Sequence, residues 1–335
     1  MTKNAAITRL LLSRDAAGKH SDDIARVFAS TPHALVFPDQ AEAALATIAF
    51  VSRDVTGLST KHELQPETRR FYDALRAASV LRWVHIHSAG TDRPIYLELA
   101  QRGVAITTSS SSNARVVAQT AVMGLLSLAR HGPFLAAAQR RKEWTSLYAS
   151  GLPRDLGGQT AVVVGWGPAG QEIGRLLGAI GLNLVVVRRS ERPAGQGILA
   201  VPYAKLHEVL PCADWLLLAC PLSEETRRLV GGPEFALLRA HCGVVNVARG
   251  EVVDEDALVA ALRERRISGA YLDVFAHEPL PAQSPLWDMP NVIVTPHSAG
   301  MSDANEGQVA RMFLQNLARW VRGEGSPGSQ DSSSC

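Results

Sequence analysis

Short apolar segments alternate with helical segments along the chain, and this alternation restricts its fold more than any other feature. In the second half, nearly continuous apolar runs occur at 161–164, 183–187, 215–219, 244–247, 270–274 and 292–294. Such runs are typical of strands buried on both faces of a parallel sheet. The segment 254–266 between two of them has an acidic start and an arginine-rich end, which favour a helix. The pattern therefore predicts an α/β fold.

A weaker alternation of the same kind runs through the first half. Apolar runs there occur at 7–12, 34–37, 46–51, 81–85 and 104–107, separated by more polar segments. A chain of 335 residues corresponds to about two domains of ordinary size. We therefore expect two α/β domains.

The composition argues against several classes of protein. Lys and Arg number 34 against 32 Asp and Glu, so the net charge of +2 argues against a nucleic-acid partner. No run of 18 apolar residues predicts a membrane span. The 4 cysteines lack the spacing of a zinc site or of a secreted disulfide framework. We expect a cytoplasmic protein with no metal and with neither nucleic acid nor membrane as partner.

A glycine-rich turn joins the run at 161–164 to the helical segment that follows it. Its sequence, Gly165-Trp166-Gly167-Pro168-Ala169-Gly170, has the G-x-G-x-x-G spacing of a dinucleotide-binding loop. The first glycine would permit the tight turn, the second the approach of a pyrophosphate, and the third close packing of helix on sheet. The position between a buried strand and a helix favours this interpretation over an ordinary turn.

The end of the next strand indicates which dinucleotide binds. An NAD site places an acidic residue about 20 residues after the glycine loop, where it bonds the ribose 2′-hydroxyl. Arg188 occupies that place here, followed by Arg189 and Ser190. Two guanidinium groups and a hydroxyl suit a 2′-phosphate, so NADP(H) is preferred, with NAD(H) as the second cofactor. A solvated basic loop is the alternative interpretation.

Three ionisable residues follow expected strands: Arg249, Glu278 and His297. Open α/β sheets bind their ligands at the carboxyl ends of the strands. Reduction of a 2-keto acid needs a cation to grip the carboxylate and polarise the carbonyl. It also needs a proton donor for the developing alkoxide and a group that keeps this donor protonated. Each residue alone could be an ordinary loop residue, but together, behind a dinucleotide loop, they predict this chemistry.

These motifs resemble those of the D-isomer-specific 2-hydroxyacid dehydrogenases, in particular of glyoxylate and hydroxypyruvate reductases. The order and spacing of the motifs agree over about residues 45–320. The matching segments are 87–92, 165–170, 220–226, 246–250, 272–275 with 278–280, and 285–287 with 295–300.

The resemblance implies a two-domain architecture. A doubly wound Rossmann domain, residues 113–298, would be inserted into a flavodoxin-like substrate domain made of residues 1–112 and 299–335. The implied reaction is NADPH-dependent reduction of a small 2-keto acid to the D-2-hydroxy acid. The arm after Arg130 would pack against a second subunit in a homodimer, and Trp144 in that arm would reach the partner's site or pack between the subunits.

The resemblance also implies roles for individual residues. Arg249 would bind and polarise the substrate, His297 would be the general acid, and Glu278 would pair with His297. Further contacts with the cofactor are implied at Cys220, Pro221, Thr226, Val247, Ala248 and Asp273, the last of which would meet the nicotinamide carboxamide.

Substrate recognition is where the chain departs most from its relatives. Main-chain amides at Ser88, Ala89 and Gly90 are implied to hold the substrate carboxylate. Just beyond them, many relatives have Val-Asp and an apolar residue where this chain has the segment 91–94, Thr-Asp-Arg-Pro. Arg53, which follows the run at 46–51, is expected either to contact the substrate or to be a surface cation.

Other functions fit part of the same pattern. One alternative is a dehydrogenase for a bulkier, sugar-derived 2-hydroxy acid. Another is a dinucleotide-sensing interaction protein resembling the C-terminal-binding corepressors. Formate is not expected as substrate, because formate dehydrogenases of this superfamily carry Gln where Glu278 stands.

Overall fold

The computed structural model describes residues 7–190 and 192–324, in which strands and helices alternate. The strands are β1 (Thr8–Leu11), β2 (His33–Val36), β3 (Ile48–Val51), β4 (Trp83–Ile86), β5 (Ala105–Thr108), β6 (Thr160–Val164), β7 (Asn183–Arg188), β8 (Leu199–Pro202), β9 (Trp215–Leu218), β10 (Gly243–Asn246), β11 (Gly269–Leu272) and β12 (Val292–Val294). The α-helices are α1 (Arg14–Phe28), α2 (Arg53–Thr56), α3 (Pro66–Ala77), α4 (Pro94–Gln101), α5 (Ala114–Ala129), α6 (Gly132–Arg140), α7 (Leu147–Ser150), α8 (Pro168–Ala179), α9 (Leu206–Val209), α10 (Gly232–Leu237), α11 (Glu255–Arg263) and α12 (Asn305–Val321). Short 3₁₀ helices occur at Ala41–Leu45, Tyr203–Lys205, Leu210–Cys212, Gly250–Val252 and Pro285–Trp287.

The chain forms two compact units. Among the described residues, the first unit combines residues 7–112 with residues 302–324, and the second unit runs over Asn113–Met301. Residues 1–6 and 325–335 of the predicted substrate domain lie outside the described residues. No single helix in the described part of the chain is long and apolar enough to cross a membrane. The helices α5 and α6 meet that test only as a pair, bent by 70°.

The first unit is built on a parallel sheet of five strands in the order β2-β1-β3-β4-β5. This is the order of flavodoxin-like folds. Neighbouring residues of a strand point to opposite faces, so each strand contributes to two apolar layers. Phe50 and Trp83 pack with Phe313 of α12 on one face, and Val51 and Val84 belong to the layer beneath α3 and α4 on the other.

The second unit is built on a parallel sheet of seven strands in the order β12-β11-β10-β9-β6-β7-β8. The order reverses between β6 and β9, as in a Rossmann fold, where the ligand binds at this reversal. The helices α5 and α8 cover one face and α10 and α11 the other. Gly124 lets α5 approach the sheet, because a methyl group there would lie 2.3 Å from the ring of Tyr271.

Local signals in the sequence explain where several helices begin. The predicted helix at 254–266 is α11, and Asp254 caps it by accepting a hydrogen bond from the amide of Ala257 at 3.2 Å. The hydroxyl of Ser13 caps α1 in the same way, accepting from the amide of Ala16 at 3.0 Å. Side-chain acceptors of this kind satisfy amides that have no partner within the helix.

Candidate active site

The glycine loop follows β6, at the point where the strand order reverses. Gly165 has φ +99°, and a methyl group there would lie 2.6 Å from the backbone of Cys220. A methyl group on Gly170 would lie 2.0 Å from the carbonyl oxygen of Gly165, so α8 starts directly against the loop. A methyl group on Gly167, by contrast, would meet no described atom within 4 Å. The first and third glycines are thus required by packing, whereas the second faces open space.

Of the residues between the three glycines, Pro168 and Ala169 lie in the first turn of α8, and Trp166 packs against this helix. Pro168 and Ala169 open the helix, and its N-cap Gly167 has no side chain to satisfy the first amides. These amides are the groups that bind phosphate at a helix N-terminus. The indole of Trp166 lies against Gly174 of α8 and donates a hydrogen bond to the carbonyl oxygen of Ala194 at 3.1 Å.

Arg188, Arg189 and Ser190 lie at the carboxyl end of β7. Nε of Arg188 and Oγ of Ser190 are shielded from solvent, and neither forms a hydrogen bond within the described part of the chain. Buried polar atoms without a partner are rare in native proteins. Arg189 is more exposed and forms an ion pair of 2.8 Å with Glu225. An anionic group with several acceptor oxygens would satisfy both orphaned atoms.

The loop after β9 contains the predicted cofactor contacts Cys220, Pro221 and Thr226. The hydroxyl of Thr226 donates to the carbonyl oxygen of Pro221 at 2.6 Å and accepts from the amide of Ser223 at 2.8 Å. Burial raises the pKa of the Cys220 thiol to about 12, so this side chain is neutral. These groups shape the loop, and their contact with a cofactor stays a prediction.

Arg249 lies in a loop after β10 that also contains the predicted contacts Val247 and Ala248. Asn246 holds this loop, since its side chain accepts from the amide of Ala248 at 3.0 Å and donates to the carbonyl oxygen of Arg249 at 3.1 Å. Nη1 of Arg249 donates to the carbonyl oxygen of Ala248 at 2.7 Å.

At Gly250 the loop that carries Arg249 is in close contact with the loop that follows β11. A methyl group on Gly250 would lie 1.8 Å from the carbonyl carbon of Phe275, so the two backbones touch. The amide of Phe275 in turn donates to Oε1 of Glu278 at 3.1 Å. The sequence motif contained Gly250, but its spacing alone did not reveal this contact between loops.

The structure brings Glu278 and His297 together. Nδ1 of His297 lies 2.8 Å from Oε2 of Glu278. The side chain of Glu278 is 12% exposed and that of His297 is 47% exposed, so the acid is covered and the imidazole is accessible. A carboxylate at Nδ1 makes that nitrogen the donor of the pair and leaves Nε2 for another partner.

Asp273, at the end of β11, holds the loop that carries His297. Its buried carboxylate accepts hydrogen bonds from the hydroxyl of Thr295 at 2.6 Å and from the amides of Ser298 and Ala299, each at 2.9 Å. Burial raises the pKa of Asp273, and these hydrogen bonds oppose that rise. The amide of His297, whose φ is +49°, donates to the carbonyl oxygen of Asp273 at 2.8 Å. The predicted contact of Asp273 with nicotinamide stays a prediction.

The predicted substrate residues Ser88, Ala89, Gly90 and Arg53 belong to the first unit. The hydroxyl of Ser88 donates to the carbonyl oxygen of Gly90 at 3.0 Å, which folds this segment into a tight turn. The carbonyl oxygen of Ser88 accepts from the amide of Ser109 at 3.1 Å. The turn is therefore held from within and from the end of β5.

Comparison with known proteins identifies the family. The family model of the NAD binding domain of D-isomer specific 2-hydroxyacid dehydrogenases matches residues 122–299. The chain belongs to this family. It is 30% identical over 297 residues to a glyoxylate reductase of Thermococcus gammatolerans, with 87% of each chain covered. It is 32% identical over 253 residues to the glyoxylate/hydroxypyruvate reductase B of Citrobacter koseri, covering 75% of this chain and 76% of that relative.

A solved structure of the family shows the same architecture. The D-isomer specific 2-hydroxyacid dehydrogenase from Xanthobacter autotrophicus, in complex with NADPH and MES, gives a TM-score of 0.74 at 26% identity over 96% of both chains. The predicted fold, a Rossmann sheet together with a flavodoxin-like sheet, is confirmed. The chain is an NAD(P)-dependent 2-hydroxyacid dehydrogenase, an oxidoreductase that acts on small 2-keto and 2-hydroxy acids.

Proposed function

We propose that this dehydrogenase reduces a small 2-keto acid of the glyoxylate or hydroxypyruvate type to the D-2-hydroxy acid, with NADPH as the preferred cofactor. The hydrogen bond of 2.8 Å between Glu278 and Nδ1 of His297, at the carboxyl edge of a Rossmann sheet, is the observation that carries the proposal. It supplies a covered carboxylate and an accessible imidazole, which are the parts of a general acid.

Residues of the second unit supply the proton donor, the carboxylate that orients it and the cation that polarises the substrate. When bound, the nicotinamide supplies a hydride to the keto carbon. Nε2 of His297 donates a proton to the developing alkoxide, and the carboxylate of Glu278 orients the imidazole and stabilises its charged form. Arg249 binds the substrate and polarises its carbonyl group. In the first unit, the amides around Ala89 and Gly90 bind the substrate carboxylate.

The preference for NADPH rests on the end of β7. Nε of Arg188 and Oγ of Ser190 are buried polar atoms that a 2′-phosphate would satisfy. Arg189 would join them by exchanging Glu225 for the phosphate. The Xanthobacter relative was solved with NADPH, which supports the same assignment. The amides at the start of α8 and the open space at Gly167 suit the pyrophosphate.

We also propose that the protein is a homodimer in which the arm after Arg130 covers a second copy. The side chain of Trp144 in this arm is fully exposed, and Tyr148 and Leu152 are 86% and 67% exposed. Exposed large apolar side chains in one segment are typical of interaction sites.

Turnover of a ketoacid panel tests the reaction. We expect the purified protein to consume NADPH in the presence of glyoxylate or hydroxypyruvate, and more slowly with NADH. Absence of NADPH oxidation across a panel of small 2-keto acids would overturn the proposal. Binding of the cofactor without turnover, together with capture of a peptide partner, would instead indicate a dinucleotide-sensing protein.

A double variant tests the cofactor preference. In Arg188→Asp with Arg189→Ala, we expect the NADPH/NADH ratio of kcat/KM to fall by about 10-fold to 100-fold, because charge-assisted hydrogen bonds to phosphate are lost. Arg175→Ala on the surface of α8 removes a cation from the same unit and serves as control. An unchanged ratio in the double variant would contradict a binding site for the 2′-phosphate at the end of β7.

A further inference from the structure

An ion pair links the end of β7 to the loop that follows β9. Nε of Arg189 donates to Oε2 of Glu225 at 2.8 Å. In the sheet, β6 lies between β7 and β9, so the pair joins the ends of the two strands that flank the glycine loop. Arg189 is also one of the two cations proposed to bind the 2′-phosphate of NADPH. A carboxylate of the chain itself therefore occupies one donor of the proposed phosphate site.

The backbone that carries Glu225 is held in place. The buried hydroxyl of the next residue, Thr226, donates to the carbonyl oxygen of Pro221 at 2.6 Å. The same loop lies directly against the glycine loop, because a methyl group on Gly165 would come within 2.6 Å of the backbone of Cys220. The side chain of Glu225 is 55% exposed. The position of this residue is thus fixed relative to the glycine loop, while its carboxylate can still change partners.

The loop that follows β7 is held as well. The indole of Trp166 in the glycine loop donates to the carbonyl oxygen of Ala194 at 3.1 Å. Within this loop the side chain of Arg189 is 59% exposed, whereas Nε of Arg188 is shielded from solvent. Rotation of an exposed side chain is enough to exchange one anionic partner for another. Arg189 can therefore leave Glu225 for a phosphate without a shift of the loop.

Glu225 lowers the positive charge that the end of β7 offers to a phosphate. Arg188 has no acidic partner within the described part of the chain, so Arg189 is the cation that Glu225 neutralises. A phosphate that binds Arg189 must break this ion pair and then lies near the displaced carboxylate, which repels it. NADH has a neutral hydroxyl at this position, so neither effect applies to it.

We propose that Glu225 is a specificity-determining residue for the cofactor. Its ion pair with Arg189 competes with the 2′-phosphate and holds the preference for NADPH below the level that the donors at 188–190 would otherwise give. The same competition keeps NADH in use as the second cofactor. The inference rests on the proposed function, because it assumes that the end of β7 binds the 2′-phosphate.

Two adenosine ligands that differ by one phosphate measure the competition without turnover. Adenosine 2′,5′-bisphosphate carries the 2′-phosphate and 5′-AMP has a hydroxyl in its place, so the ratio of their dissociation constants reports the phosphate site. In Glu225→Gln we expect calorimetry to show tighter binding of the bisphosphate by about 2-fold to 5-fold, the effect of one exposed ion pair, with 5′-AMP unchanged. The NADPH/NADH ratio of kcat/KM should rise by a similar factor.

A neighbouring glutamate provides a matched control. Glu224→Gln removes the same charge one residue away, from an exposed side chain that forms no ion pair within the described residues. This variant should leave the ratio of dissociation constants unchanged. Circular dichroism should report that both variants are folded, since each keeps the buried anchor at Thr226.

A double-mutant cycle with Arg189→Ala assigns the effect to the ion pair. Without Arg189 the carboxylate and the phosphate no longer share a partner, so Glu225→Gln should not raise the ratio in this background. A rise as large as in the presence of Arg189 would overturn the competition, because repulsion by Glu225 alone would then account for it.

The remaining outcomes separate Glu225 from the phosphate site. Equal binding of the two adenosine ligands by the wild type would overturn the phosphate site, and with it the NADPH preference in the proposed function. Tighter binding of the bisphosphate by the wild type, with the same ratio in Glu225→Gln, would overturn the role of Glu225 alone. An equal rise in Glu224→Gln would also overturn it, since net charge rather than the ion pair would then set the ratio.

Discussion

The carboxyl ends of the two parallel sheets carry different kinds of charge. In the second unit the acidic groups are paired: Glu278 bonds His297, and Asp273 accepts hydrogen bonds from the loop that follows β12. In the first unit, Arg53 and Arg93 form no ion pair within the described residues. Paired groups hold a proton at a fixed atom, whereas uncompensated cations attract an anion. The second sheet thus carries paired acidic groups at this edge, whereas the first carries arginines that form no ion pair among the described residues.

The interiors of the two sheets differ as well. The buried residues of β6 and β9 are apolar throughout. In the first unit, β4 contains His85, which is fully buried and lies 2.7 Å from the hydroxyl of Thr107 and 3.0 Å from that of Ser109. A buried polar group is tolerated only when it is hydrogen-bonded. The first sheet therefore depends on the hydrogen bonds of a buried histidine, whereas the buried polar groups Asn246 and Asp273 of the second sheet lie at the carboxyl ends of β10 and β11.

The largest expected effect comes from the acid of the second unit. His297→Ala should lower kcat by about 10³-fold, because a positioned general acid contributes roughly 10²-fold to 10⁴-fold. His241→Ala is a matched control, since His241 also bonds a carboxylate, Asp214 at 2.7 Å, but precedes β10 at the opposite edge of the sheet. Steady-state kinetics and NADPH binding measure both variants. Loss of NADPH binding together with turnover in His297→Ala would indicate a structural role instead.

A smaller effect is expected where the loops of the second unit touch. Gly250→Ala places a methyl group 1.8 Å from the carbonyl carbon of Phe275, so the loop of Arg249 must shift. We expect a loss of about 1–3 kcal/mol in the free energy of unfolding, the usual cost of overpacking. A lower kcat/KM should accompany it.

A glycine with open space around it provides the control. Gly178→Ala lies in α8, where the new methyl group meets no atom within 4 Å, and should stabilise by up to about 1 kcal/mol. Urea denaturation of both variants gives the comparison. Equal stabilities would contradict the close contact between the loops.

The sequence predicted the second sheet well because its strands are buried on both faces. The run at 244–247, for example, corresponds to β10, all of whose residues are buried. The strand β8 was not predicted; only Val201 of its four residues is buried and it ends in Pro202. Partial burial at an edge does not by itself hide a strand, because the edge strands β2 and β12 are also partly buried and correspond to the predicted runs at 34–37 and 292–294.

The candidate site could be predicted in part for a related reason. Arg249, Glu278 and His297 each follow a strand, so their position at one edge follows from the alternation of elements. The bonds that hold them depend on the path of the loops in space. The carboxylate of Asp273 reaches amides 25 and 26 residues away, and Arg93 is fixed by acceptors on the segment before α3. No spacing in the sequence indicates such contacts.

The smallest expected effect tests the polar interior of the first sheet through pH. Burial lowers the pKa of both His85 and His87 from 6.5 to about 3, so the unfolded chain binds more protons than the folded chain between these values. The contribution of these two neutral histidines to the free energy of unfolding is therefore complete above about pH 6.5, and it is lost as the pH falls below this value. Between about pH 6.5 and about pH 5.5 each histidine should cost the first unit about 1 kcal/mol. Native-state hydrogen exchange, corrected for its intrinsic pH dependence, should show this loss at the amides of β4 and a smaller one at β10. His87→Gln keeps a partner for Thr56 but cannot titrate, so it should remove about half of the loss; an unchanged slope would locate the pH sensitivity elsewhere.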